Sequence, residues 1–68
     1  MHIKEGTKLK VFHNIKGEFI AEADRDFDTT DEFYPLVALQ PVTGRNNKFK
    51  KGQTMVVRSN LCTVRVEE

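Results

Sequence analysis

The sequence predicts an all-β fold, a five-stranded antiparallel small barrel with no regular helix beyond a short turn. Three observations carry this. Apolar residues alternate with polar ones at a period of two in several short runs, as in Lys8-Leu9-Lys10-Val11 and Cys62-Thr63-Val64-Arg65-Val66. Those runs are bounded by Gly, Asn and Pro, the residues that turns use. No stretch carries the i, i+3, i+4 apolar spacing of a helix of ordinary length.

The first predicted strand spans Thr7 to His13. Asn14-Ile15-Lys16-Gly17 follows as a tight turn, because Asn and Gly tolerate the positive φ that hairpin turns demand. The second strand runs from Glu18 to Asp24, with Phe19, Ala21 and Ala23 on one face. Together the two make an antiparallel hairpin. The segment after it is acidic and too polar for a core. Thr29-x-x-Glu32 has capping-box spacing, but Pro35 limits any helix there to one turn. The third strand, Tyr34 to Gln40, is nearly continuously apolar and is expected to be covered on both faces, with Pro35 near its start. A long connection from Pro41 to Gln53 leads to the fourth strand, Thr54 to Arg58. Ser59-Asn60 turns the chain into the fifth, Leu61 to Val66. The expected core is Leu9, Val11, Phe19, Ala21, Leu36, Ala38, Val57, Cys62 and Val64.

Closure into a barrel removes the exposed edges that a small all-β domain must otherwise protect. The layout, carried by Gly6-Thr7-Lys8-Leu9-Lys10-Val11, by Gly17-Glu18-Phe19 and by the closing pair of strands around Ser59-Asn60, resembles the SH3-like small barrels of the KOW and Tudor type. That resemblance implies that the first and last strands pair.

Size and composition restrict function further. The chain has 68 residues, one Cys and no Trp, with 31% charged and 38% apolar residues. The expectation is one small domain over residues 1–68, with an acidic loop at 24–33 and a basic loop at 41–53. A small-molecule site of roughly 300–1,000 Å³ would hollow out most of such a core, so neither a small-molecule substrate nor catalysis is expected. The longest apolar run, Leu36-Val37-Ala38-Leu39, falls far short of the roughly 20 residues of a membrane span. Charges near the N-terminus, where a signal peptide is apolar, and a lone Cys that cannot form an internal disulfide point to a reducing cytoplasm.

The formal net charge of +1 hides a segregation. Residues 18–32 hold seven acids against Arg25, a net −6, whereas residues 33–66 hold six cations and no acid. A basic patch attracts phosphate backbones irrespective of sequence. The plainer alternative is that both blocks are solvated and neutralise one another within the fold.

Four constellations bear on chemistry. The first is the Gly-bounded loop containing Arg45, Asn46, Asn47, Lys48, Phe49, Lys50 and Lys51. Its cations suit phosphates, its amides suit base edges, and its aromatic ring suits stacking. Against this stands an ordinary solvated loop in which Phe49 plugs the barrel end. The second is the outward side of the first and last strands, where Lys8, Lys10 and Arg65 would form one basic strip in support of the loop and Arg58; simple solvent exposure is its plain alternative. The third is Asp24-x-Asp26-x-Asp28, which starts like a calcium loop. Thr29 stands where that loop needs Gly and Pro35 where it needs Glu, so no metal site is expected. The fourth is Cys62 with His2 and His13. Cys62 shares the phase of Val64 and Val66, which marks it as a buried, inert thiol, and no zinc set accompanies it.

The expected function is that of a non-catalytic module, without cofactor, that binds nucleic acid through the basic loop and strand face. The alternative is a protein-interaction module. It would use the acidic-aromatic segment with Asp26, Phe27, Asp28, Phe33 and Tyr34, where aromatic side chains would anchor a partner.

Overall fold

A computed structural model describes residues 1–43 and 48–67 of the chain. It is all-β, with one 3₁₀ turn, and its principal element is a five-stranded antiparallel sheet. The strands are β1 (His2–Ile3), β2 (Lys8–His13), β3 (Gly17–Ala23), β4 (Phe27–Asp28), β5 (Phe33–Ala38), β6 (Val42–Thr43), β7 (Lys48–Phe49), β8 (Thr54–Arg58) and β9 (Cys62–Val66). The 3₁₀ turn, Ser59–Leu61, separates the last two.

The sheet order is β8-β5-β3-β2-β9, so the first long strand pairs with the last, as the SH3-like resemblance implies. Leu9 lies opposite Ala21 on one side and Val66 on the other. β8 and β9 occupy opposite ends of the sheet, which in a flat sheet would lie about 19 Å apart at the usual strand spacing. The turn joining them has three residues, and a 3₁₀ segment of that length rises only about 6 Å. The sheet therefore curls until its ends approach. Among the described residues no ladder joins β8 to β9.

Alternation then sorts the side chains. Leu9, Val11, Phe19, Ala21, Leu36, Ala38 and Val57 are buried, as the period-two pattern predicts. Burying a Leu or Phe side chain contributes about 1.5–3 kcal/mol, which gives these positions their weight in so small a domain. The outer face carries Lys8, Lys10 and Phe12 of β2, Ile20 and Glu22 of β3, Phe33, Pro35 and Val37 of β5, and Val56 and Arg58 of β8.

Several details differ from the sequence prediction. β5 begins at Phe33 and ends at Ala38, and it alternates, with Pro35 and Val37 half-buried on the outer face. The basic connection 41–53 contains the β6–β7 pair, and the acidic segment 24–33 contains β4 and the first residue of β5. Cys62 and Val64 are half-buried and Val66 is 44% exposed. β9 ends the sheet at the unpaired seam, so its inward side chains lack the flanking strand that would cover them.

The core also draws in residues that no periodic run marked. β1 pairs with β4, setting Ile3 opposite Phe27, and both side chains are buried. Phe27 lies against Tyr34, ring centroids 4.7 Å apart, and the Tyr34 hydroxyl donates to the Thr29 carbonyl. The acidic segment thus closes one end of the barrel with an apolar underside.

Candidate functional site

The basic end of the barrel is built by two turns. In the β2–β3 turn, Gly17 has φ +81°, in the left-handed region that favours glycine. His13 Nδ1 accepts the backbone N–H groups of Ile15 and Lys16, each at 3.1 Å. This fixes Lys16, whose ammonium lies 5.3 Å from the centroid of the Phe49 ring, a cation–π contact. After β7, the Lys50 N–H donates to Gln53 Oε1, the Gln53 N–H to the Lys50 carbonyl, and the Gly52 N–H to the Ala38 carbonyl. The turn so formed leaves Lys50 and Lys51 exposed. Phe49 itself is half-buried and packs against the core, so it plugs the barrel end, and Lys16 covers part of the ring. Lys16 was not part of the basic loop as read from sequence; its turn position alone did not reveal that it folds back onto Phe49. Arg45, Asn46, Asn47 and the side chain of Lys48 lie outside the described residues.

The strand-borne cations do not form a continuous strip. Lys8, Lys10 and Arg65 share the outer face, and Lys10 stands opposite Arg65. But β3 interleaves acids. Glu22 lies opposite Lys8, and Glu18 forms an ion pair with Lys10 at 2.7 Å. The hydrogen bond and charge of Glu18 raise the Lys10 pKa above its usual value. Pairing β2 with β3 therefore mixes the charges that the linear sequence keeps apart. Arg58 stands elsewhere, on β8, with its guanidinium 5.8 Å from the Phe33 ring centroid.

The acidic-aromatic surface is corrected in its membership. Phe27 and Tyr34 are each only 5% exposed and belong to the core, because β4 and β5 turn both rings inward. Burial pushes the Tyr34 hydroxyl pKa up, with the charges of Cys62, Asp28 and Asp31 adding to it. Asp26 Oδ1 accepts the Glu5 N–H at 2.8 Å, and Asp28 Oδ1 accepts both the N–H and the hydroxyl of Thr30. Those bonds hold the Asp28 carboxyl below the usual carboxylate range. Both acids thus shape their loop. Phe33 remains accessible at 44%, and it has a neighbour that the sequence reading passed over: Val56, 64% exposed, opposite Pro35 across the β5–β8 pair. The signal was present, since Met55 and Val57 face inward and the residue between them must face out. Phe33, Pro35 and Val56 line a shallow groove of about 260 Å³, with Arg25, Asp26, Phe27 and Asp31 completing its wall.

His13 and Cys62 stand opposite one another on β2 and β9. The Cys62 thiol donates to the Arg58 carbonyl at 3.5 Å, and burial raises its pKa, the opposite of what a nucleophile needs. His13 Nδ1 is already occupied by two N–H donors. Among the described residues no three His, Cys, Asp or Glu side chains converge as a metal site, and no helix is long and apolar enough to cross a membrane. The chain matches no protein-family model, no characterised protein and no solved structure.

Proposed function

We propose that this chain is a non-catalytic module that binds nucleic acid at the basic end of its barrel. The observation that carries the reading is that Lys16 lies over the Phe49 ring while Lys50 and Lys51 stand exposed in the turn directly after it, and none of the three cations forms an ion pair among the described residues. Arg45, Asn46, Asn47 and Lys48 adjoin this end in sequence and extend the proposed surface. Lysines that form no ion pair among the described residues supply phosphate contacts without first having to break an internal bridge. Phe49, half-buried beneath Lys16, offers the rest of its ring to a base. Lys8, Lys10 and Arg65 contribute less in this proposal, because Glu18 and Glu22 neutralise their face.

The test is fluorescence anisotropy with a labelled single-stranded RNA across a salt series. Affinity is expected to fall steeply with salt. The Lys50→Gln, Lys51→Gln double variant is expected to flatten the slope of log K against log salt by about 1.4 for a single strand. Absence of affinity for RNA or DNA at low salt would overturn the reading.

A further inference from the structure

The surface carries a projecting basic turn and, on another part of the barrel, a shallow acidic groove. We propose that the groove of one copy of this chain receives the Lys50–Gln53 turn of a second copy. The proposal goes beyond the nucleic-acid reading and does not rest on it, although it uses two of the same lysines. Shape, charge and the distance between the two features argue for it.

The turn is the convex partner. Every residue from Lys50 to Thr54 is exposed. The Gln53 N–H donates to the Lys50 carbonyl at 3.0 Å and the Lys50 N–H to Gln53 Oε1 at 3.1 Å, with Gly52 at φ +86°. The Gly52 N–H ties the turn to the Ala38 carbonyl at the end of β5. Its shape is thus set before any contact is made, and docking loses little backbone freedom. Among the described residues neither Lys50 nor Lys51 forms an ion pair.

The groove is the concave partner. Phe33 and Val56 are exposed, and with Pro35 they line its apolar part, while Asp26 and Asp31 stand in its wall. A lysine side chain suits this combination, because its methylenes cover apolar surface while its ammonium reaches a carboxylate. The surrounding segment, residues 24–32, holds five carboxylates against Arg25, and Arg58 over Phe33 does not reverse that excess. Asp28 pairs with the Met1 ammonium and Asp26 lies 3.6 Å from His2 Nε2. Asp24, Asp31 and Glu32 have no ion-pair partner among the described residues.

The strand β5 holds the two features apart within one molecule. Glu32 directly precedes it and the turn is tied to its last residue, and its six residues span about 20 Å. Each copy therefore offers both a basic knob and an acidic groove. A net charge of +1 gives two copies little overall repulsion, so the complementary patches decide how they approach. Because groove and turn are separate patches, a copy lacking one can still use the other.

The test is sedimentation equilibrium of the intact, nuclease-treated protein alone, at concentrations up to about 1 mM. The average mass is expected to rise with concentration at about 0.01 M salt and to return to that of the monomer at about 1 M. Two double variants follow. Lys50→Gln with Lys51→Gln disables the turn, and Asp31→Asn with Val56→Ser disables the groove; the new Asn keeps an oxygen for the Asp28 N–H. All four positions are exposed, so both variants are expected to fold. Each alone is expected to associate about tenfold more weakly than the wild type. Mixed in equal amounts they are expected to form a dimer and nothing larger, because the intact turn of one meets the intact groove of the other. The salt dependence of the unmodified protein tests the proposal without any variant. A wild-type protein that stays monomeric at low salt, wild-type association by either variant alone, or a mixture that stays monomeric would each overturn the proposal. Loss of RNA affinity would not, since no nucleic acid is present.

Discussion

His13 makes the β2–β3 turn dependent on pH. Its Nδ1 accepts the N–H groups of Ile15 and Lys16, which only an unprotonated nitrogen can do. Burial, and then the nearby charge of Lys16, lower its pKa below the ordinary 6.5. The unfolded chain therefore binds the proton more tightly than the native one. This contribution to stability is fully present above the unfolded pKa and is lost as pH falls through it toward the folded value, from about pH 7 downward. Two substitutions separate the bond from the charge. His13→Leu removes the acceptor, and two net hydrogen bonds of about 0.5–1.5 kcal/mol each are at stake. Ile15 is exposed and Lys16 half-buried, so their freed N–H groups reach water and the cost falls at the low end, about 1–2 kcal/mol. His13→Asn keeps an acceptor at the same place, in the manner of an Asx turn, but does not titrate. Urea denaturation at pH 8 and pH 5 measures all three proteins. The wild type is expected to lose stability relative to His13→Asn on going to pH 5, while His13→Leu is the least stable at pH 8. A wild-type-minus-Asn difference that is the same at both pH values would refute the titration argument. Equal stability of the Leu and Asn variants at pH 8 would refute the role of the bond.

Leu9→Ala removes a wholly buried side chain from the strand pairing with both β3 and β9, and is expected to cost about 2–5 kcal/mol by thermal denaturation, enough to unfold much of the population. Tyr34→Phe deletes the bond to the Thr29 carbonyl and is expected to cost about 0.5–1.5 kcal/mol, with amide exchange rising in residues 27–31 more than in β2. Cys62, half-buried with a raised pKa, is expected to react with a thiol reagent more slowly than free cysteine at pH 7.5, yet without requiring global unfolding; kinetics independent of urea below the transition would bear this out. Phe49→Ala removes a half-buried plug and is expected to lower stability by about 2 kcal/mol while leaving the salt slope of RNA binding unchanged, since no cation is removed; a flattened slope would show that the ring is needed to place Lys16 on a phosphate.

The local sequence by itself determined the five long strands, the turn at Asn14–Gly17 and most of the inner face. Period-two alternation is a property of neighbouring residues, so Leu9, Val11, Phe19, Ala21 and Leu36 could be assigned inward without knowing what they meet. The segregation of acidic and basic stretches was equally plain. Only the tertiary structure decided what those stretches do. Two-residue strands such as β1 and β4 are too short to show a period, and so the burial of Ile3 and Phe27 depends on a pairing between chain segments some 25 residues apart. Pairing across strands likewise decided the electrostatics, because Glu18 and Glu22 meet Lys10 and Lys8 only once β2 and β3 are in register. The same register set Val56 beside Pro35 on the outer face. Alternation along a strand is a local, steric rule; which strand lies alongside, and therefore which charges cancel and which apolar side chains stay uncovered, is set by contacts that no single segment contains.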